Sequence, residues 1–394
     1  MGQLAVFLVL IVVVVVGVHY YLWRRLVRDT TGPGRGRRIG TFVILGLALL
    51  IPVTLVLTRL FSGMAALALI GYLWLAVMFY LLVTLAVLEI PRALLQRRRR
   101  DIVHASATTQ TPPLPQPVSD DLTRRQAISR GLAITAGLVA VGTTGYGVTQ
   151  ALGAPRLKRQ AITLAKLPRS MDGYRIALVS DIHLGPLAGR AHTQRIVDII
   201  NGLDADIVTV VGDLVDGSVA ELGAAAQPLR DLRSKHGSFF VTGNHEYFSG
   251  FEEWIAEVDE LGLRPLRNER VELPGGLDLA GVNDVTGAQF DDGADLGKAL
   301  GDRDTSKAVV LLAHQPVQVR DAAKFGVDLQ LSGHTHGGQM VPFNLVVPLQ
   351  QPVVSGYDVI DGTQIYVTNG AGFWGPPVRV GAPPDITLVQ LRSK

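Results

Sequence analysis

Three long apolar runs near the N-terminus decide most of what this chain can become. Residues 4–23 are almost wholly apolar and long enough to cross a bilayer as a helix. Arg24, Arg25, Arg28, Arg35, Arg37 and Arg38 follow. A second run covers 39–57 and is closed by Thr58 and Arg59. A third covers 64–90, with Glu89 as its one charged residue, and Pro91 is expected to stop it. Arg92 and four consecutive arginines at 97–100 come next. One such run alone could be a buried helix of a soluble protein. Three in succession with basic flanks read as a membrane region over residues 1–100. In lipid, a lone spanning segment must satisfy its own backbone hydrogen bonds, so each is expected as a helix.

Residues 101–123 read as a linker, polar and rich in proline from Thr108 to Pro117. Residues 124–155 admit two readings. Arg124-Arg125 before the weakly apolar, uncharged stretch 131–152 resembles an internal twin-arginine export signal. The same residues make an ordinary fourth transmembrane helix. Ala151-Leu152-Gly153 offers a small-x-small pattern of the kind a signal peptidase cuts. The excess of arginine in the loop after the first span, and again over 92–130, assigns both segments to the cytoplasm. Residues 156–394 then lie outside, in a multi-pass protein of the cell membrane.

Charge separates the halves. Residues 1–155 carry fifteen arginines and five acidic residues, whereas 156–394 carry twenty-two basic and twenty-nine acidic ones. An acidic globular half is not built to hold a polyanion, so nucleic acid is not an expected partner. Cysteine is absent, which removes disulfides, thiolate ligands and a thiol nucleophile.

The globular half repeats one pattern. A short apolar run, expected as a buried strand, ends in a residue able to bind a metal. Run 175–180 leads to Asp181 and His183; run 206–211 leads to Asp213 and Asp216. Run 238–242 leads to Asn244, His245 and Glu246; run 308–313 leads to His314. Run 328–332 leads to Gly333-His334-Thr335-His336-Gly337-Gly338-Gln339. Residues 191–201 have helical spacing between the first two. Strands alternating with helices make an α/β fold, whose ligands collect at the carboxyl ends of strands. Five of the nine histidines stand directly after such runs, which would be a strange way to build a core.

The order DxH, GDxxD, GNHE, a single His, GHTH resembles the calcineurin-like metallophosphoesterase superfamily over residues 170–394. Gly337-Gly338-Gln339 and Trp374-Gly375-Pro376-Pro377 are similar to its bacterial membrane-associated, YkuE-like branch. Glu246 stands where many members have Asp, a variation expected not to matter. The resemblance implies an α/β fold in which a β-sandwich flanked by helices follows the transmembrane helices. It implies two divalent metal ions between strand ends, with Asp181, His183 and His336 on the first, Asn244, His314 and His334 on the second, and Asp213 on both. His245 would face the substrate phosphate as the catalytic group. Asp216, Tyr247 and Asp284 are candidates for supporting or substrate-facing roles.

Those residue types suit phosphate-ester hydrolysis. Paired dications lower the pKa of a bridging water, offset the charge on the phosphoryl oxygens and align the attack. A shared carboxylate offsets repulsion between the ions, and neutral His and Asn ligands leave the site positive for an anionic substrate. Nitrogen and oxygen ligands without sulfur suit Mn, Fe or Zn and do not choose among them. The expected activity is a membrane-anchored metal-dependent phosphoesterase acting outside the cytoplasm on an envelope or lipid-linked phosphate or pyrophosphate. Soluble extracellular diesters or nucleotides are the enzymatic alternative, and a non-catalytic metal-binding membrane sensor is the other class. A full ligand set with His245 beside it argues against the sensor. Tyr247, Phe248 and Trp254 read equally as mouth or as packing. The apolar stretch 343–354 reads as a covered loop or as one that meets lipid.

Overall fold

The structure, a computed structural model, describes residues 2–61, 63–106 and 124–394. It divides into two compact units, Met1–Gly145 and Tyr146–Lys394. The first holds α1 (Gly2–Leu22), a π-helical stretch (Trp23–Arg28), α2 (Arg35–Leu60), α3 (Ala65–Ser106) and most of α4 (Arg124–Ala151). Among the described residues, three helical stretches are long and apolar enough to cross a membrane: Arg35–Thr58, Ala65–Ile90 and Gln126–Ala151. The first expected span, 4–23, coincides with α1, whereas most of the expected linker, 107–123, lies outside the described residues. Pro91 does not stop the third helix, which continues to Ser106, just as α2 runs through Pro52. Proline removes one hydrogen bond from a ladder, and an established helix on both sides carries across the gap. Arg25 lies 2.8 Å from Glu89 and 3.1 Å from Asp29, so the one acid of the third run is paired.

The second unit contains two six-stranded sheets. In chain order the strands are β1 (Arg156–Leu164), β2 (Arg175–Val179), β3 (Ile207–Val211), β4 (Ser238–Val241), β5 (Leu263–Pro265) and β6 (Glu269–Leu273). Then come β7 (Leu277–Gly281), β8 (Val309–Leu312), β9 (Leu329–Ser332), β10 (Gly356–Ile360), β11 (Thr363–Val367) and β12 (Asp385–Ser393). The sheets run β1-β12-β2-β3-β4-β5 and β10-β11-β9-β8-β7-β6. β2 through β5 are parallel, and so are β7, β8, β9 and β11.

Alternation along the strands explains the layers. Ile176 and Leu178 of β2 point into the space between the sheets, where they join Leu277, Leu279, Val310, Leu312, Leu329 and Leu331. Ala177 and Val179 point the other way, toward α5 (Arg190–Asn201), which supplies Ile196, Val197 and Ile200. On the far face of the second sheet, Val309 and Leu311 meet Ala299, Leu300 and Ala322. Strands buried on both faces need a largely apolar run, and buried polar exceptions such as Thr209, Gln330 and Ser332 each make a hydrogen bond. Each fully buried aliphatic side chain contributes about 1.5–3 kcal/mol. The core therefore holds the parallel strands rigidly enough for their carboxyl ends to form a fixed platform.

Candidate metal centre

The carboxyl ends of β2, β3 and β4 in one sheet and of β8 and β9 in the other converge. The chain turns sharply as it leaves them. Asp181, His183, Asp213, His334 and His336 all have positive φ, between 49° and 71°. Such backbone is strained for residues with a side chain and persists where the surroundings over-determine it. The neighbouring glycines are forced by contact. A Cβ on Gly212 would stand 2.7 Å from His314 Nδ1 and 2.6 Å from Gly243 Cα, and a Cβ on Gly333 would overlap Ser180 and Asp181.

Two groups of donors result. Asp181, His183 and His336 bring one ligand atom each within 4.8 Å of one another, and so do Asp213, His314 and His334. Nε2 of His183 and Nε2 of His336 are 3.0 Å apart, and His336 Nε2 is 3.4 Å from Asp181 Oδ1. In the second group Asp213 Oδ2 is 3.1 Å from His314 Nε2, and Nδ1 of His334 is 3.0 Å from Asn244 Oδ1. Asp213 Oδ2 also stands 3.8 Å from His183 Nε2 and 4.0 Å from His245 Nε2. With those two rings it forms a third such group, so this oxygen lies between the other two.

Hydrogen bonds outside the groups set which nitrogens face inward. His314 Nδ1 lies 2.8 Å from the carbonyl of Val211, and His183 Nδ1 lies 2.9 Å from Asp216 Oδ1. Those acceptors require a proton on Nδ1, so Nε2 is the nitrogen that each ring turns into the site. His314 Nε2 is buried and makes no hydrogen bond. The backbone amide of His334 donates to Asp181, and that of His245 to Asp213 Oδ1. A buried, orphaned imidazole nitrogen beside two carboxylates and further imidazoles fits divalent cations, with nitrogen and oxygen donors and no sulfur. Burial opposes ionisation of Asp213, yet the rings of His314, His245 and His183 hold its carboxyl well below the ordinary range. Burial likewise disfavours charge on His245, but Asp216 and Asp213 outweigh it and push that ring up to about 9.

Residues 174–338 match the calcineurin-like phosphoesterase family. A metallophosphoesterase of Helicobacter pylori, described as uncharacterized, is 40% identical over 274 residues, covering 69% of this chain and 73% of that one. The chain belongs to the calcineurin-like phosphoesterase family. A transmembrane protein with a metallophosphoesterase domain from Danio rerio is 37% identical over 261 residues, covering 63% and 60%. The metallophosphoesterase YkuE of Bacillus subtilis is 29% identical over 287 residues, covering 69% and 98%. This calcineurin-like phosphoesterase is accordingly a metal-dependent hydrolase, and its apolar helices associate it with a membrane.

The phosphoesterase places its other candidates unevenly. Asp216 Oδ1 stands 2.7 Å from His245 Nδ1 as well as 2.9 Å from His183. Asp284 is fully buried. Its Oδ1 accepts from the Thr286 amide and from Gln315 Nε2, and its Oδ2 has no hydrogen bond. Its charge is felt by His314 and His334. Tyr247 does not line the mouth. It is buried, donates to Asp292 Oδ2 at 2.9 Å and stacks among Phe251 and Phe290, because α7 (Asn244–Ser249) turns it to the opposite side from His245. Trp254 is fully buried, its indole donating to the Gly217 carbonyl. Phe248 and Trp374 are exposed and flank His245, with ring centroids 6.2 and 6.0 Å away.

Two residues that sequence reasoning left without a role matter here. Glu246 is buried and accepts from the amides of Gly243, Asp213 and Leu214 at 2.6, 2.9 and 2.7 Å, tying two metal-site loops together. Arg379, also buried, donates to the carbonyls of His336, Asn369 and Gly372 and to His336 Nδ1, the last at 2.8 Å. A lone arginine inside the uncharged run 370–384 was the only signal available for it.

Proposed function

We propose that this chain is a multi-pass membrane phosphoesterase with a two-metal site, facing outside the cytoplasm and acting on a phosphorylated, lipid-linked component of the envelope. In this reading Asp181, His183 and His336 hold one ion, Asn244, His314 and His334 hold the other, and Asp213 is shared. The observation that carries it is Asp213 Oδ2, one carboxylate oxygen between two clusters of inward-facing imidazoles. When bound, two dications lower the pKa of a water and offset charge on the phosphoryl group. The chain's own residues do the rest. Asp216 orients His245, whose Nε2 faces the shared carboxylate and the opening. A protonated His245 there can hydrogen-bond a phosphoryl oxygen or give its proton to the departing alcohol. The buried loops around Glu246 and Arg379 keep the ligands fixed.

The test is hydrolysis of bis-p-nitrophenyl phosphate and p-nitrophenyl phosphate by the full chain in detergent, with Mn, Fe, Zn or Mg added, beside Asp213→Ala. Metal-dependent turnover that disappears in Asp213→Ala supports the assignment and names the working metal. Turnover unaffected by that substitution refutes it. A reporter fused to the C-terminus that is active only in the cytoplasm refutes the orientation.

A further inference from the structure

The segment that follows the GHTH motif carries no charged residue from Gly337 to Gly356. It forms two single-turn helices, Phe343–Leu345 and Val347–Leu349, and neither buries a residue. Leu345 is 74% exposed and Leu349 87% exposed, with Phe343 and Val346 beside them about half exposed. This is not a frayed loop. Gln351 is buried, accepting from the Val317 amide and donating to Gln315, and Thr335 Oγ1 donates to the Val354 carbonyl. The segment is pinned at both ends and holds its apolar side chains outward, which a surface meeting only water has no reason to do.

The same segment is locked to the mouth of the site. Gln339 Nε2 donates to the carbonyl of Trp374 at 2.9 Å, and the Trp374 amide donates back to Gln339 Oε1 at 3.1 Å. Val341 N donates to the carbonyl of Val380 at 3.0 Å. Trp374 is itself exposed and stands edge-on to His245, so the Gln339 bonds tie the segment to a ring beside that histidine.

A third observation says what covers it. The strip 373–381 that pairs with this segment packs on the last turns of α4, which belong to the same compact unit. The Arg379 amide donates to the Gly147 carbonyl at 3.0 Å, and a Cβ on Gly147 would stand 2.9 Å from Val380. Ala151 packs with Phe373 and Ala188. The helix ending there, Gln126–Ala151, is long and apolar enough to cross a bilayer. A bilayer core takes only about 20 residues of such a helix, so the last turns, packed on this strip, stand at the lipid surface.

We propose that Phe343, Leu345, Val346 and Leu349, together with Trp374, form an interfacial anchor that enters the edge of the bilayer from which α4 emerges. It holds the mouth of the metal site at the depth of lipid phosphates. Exposed Leu, Phe and Val beside an indole is the composition such anchors use. The substrate half of this inference rests on the phosphoesterase reading above and narrows it to a phosphate ester carried by a membrane lipid. Hydrolysis there adds the hydroxyl of one water to phosphorus, breaks the ester P–O bond and leaves the remaining proton on the departing oxygen.

The chain has no cysteine, so one introduced thiol reports from one place. The full-length Leu349→Cys protein, labelled with an environment-sensitive dye in phosphatidylcholine–phosphatidylglycerol vesicles, is compared with Asp302→Cys, whose side chain is 85% exposed. The anchor predicts blue-shifted emission at Leu349→Cys, strong quenching by nitroxide lipids and weak quenching by aqueous iodide, with the reverse at Asp302→Cys. Equal iodide quenching at both positions overturns it. In a second arm, Leu345→Ser/Leu349→Ser keeps its turnover of bis-p-nitrophenyl phosphate, while phosphate release from vesicles of envelope lipid extract falls at least about tenfold. Equal release by variant and parent overturns the anchor's role, and a parent that cleaves the soluble ester but releases nothing from lipid overturns the substrate class. A parent that cleaves neither counts against the phosphoesterase reading instead, and the fluorescence arm still decides the anchor.

Discussion

Oδ1 of Asp216 lies 2.7 Å from Nδ1 of His245. The contact fixes the ring so that Nε2 points at Asp213, and it is one reason the His245 ring is pushed up to about 9 against the effect of burial. Without metal, His245 is therefore protonated at neutral pH and able to donate. His245→Ala is expected to retain bound metal and lose about 10²–10⁴-fold in turnover. Metal content by elemental analysis beside kcat separates the two effects. In Asp216→Asn the negative partner is gone and the histidine pKa falls, so the alkaline limb of the kcat profile moves to lower pH. An unmoved limb would remove Asp216 from the proton inventory.

A guanidinium can only donate, so the bond from Arg379 leaves Nδ1 of His336 an acceptor and puts the ring's proton on Nε2, where a bound cation would have to displace it. Removing Arg379 would strand the carbonyls of His336, Asn369 and Gly372 in a buried place. Unsatisfied buried groups cost about 1–3 kcal/mol each. Arg379→Met is expected to lower the unfolding midpoint clearly and to reduce metal binding by the purified protein. Arg379→Lys, with a single nitrogen in place of the fork, should recover only part of either. Unfolding and equilibrium dialysis measure both without reference to activity.

The candidate ligands were legible in the sequence as a set because each follows a run that had to be a buried strand, and parallel strands bring their carboxyl ends together. Asp181, Asp213, His314 and His334 could be found that way. Arg379 could not, because its place depends on a return of the chain some forty residues after His336, with no local pattern to announce it. Glu246 was readable as part of GNHE but not as the clasp between two loops, since its three amide partners include two from the loop after β3. Tyr247 reads equally as mouth or as packing, and the structure packs it for a local reason: adjacent residues in a helix diverge by about 100°, so a neighbour of His245 need not share its face. Pro91 misled because a long apolar helix tolerates the loss of one bond.

Metal loading should release protons. Burial disfavours charge on His314, but Asp213, Asp181 and Asp284 overcome it and hold that ring well above its ordinary range. Without metal it therefore carries a proton at neutral pH, and a cation on Nε2 must displace it. Apparent metal affinity is expected to rise as pH rises from about 6 to 8. Calorimetric titrations at one pH in two buffers of different ionisation enthalpy should differ in observed heat. Identical heats would show that no proton leaves.

His192 tests the fold away from the metal site. It lies on α5, buried, with Nε2 lacking any hydrogen bond, and burial with the nearby Arg195 pushes its pKa down to about 4. An unfolded histidine titrates near 6.5, so between about 6.5 and 4 the unfolded chain holds a proton that the folded chain refuses. Stability is then intact above that window and falls as pH drops through it, by about 3 kcal/mol in total at its lower end. His192→Leu has no proton to refuse. Its unfolding free energy, followed in denaturant from pH 7 to pH 4, should decline less steeply than that of the parent. Parallel curves would mean that His192 finds a partner for its proton when the chain is folded.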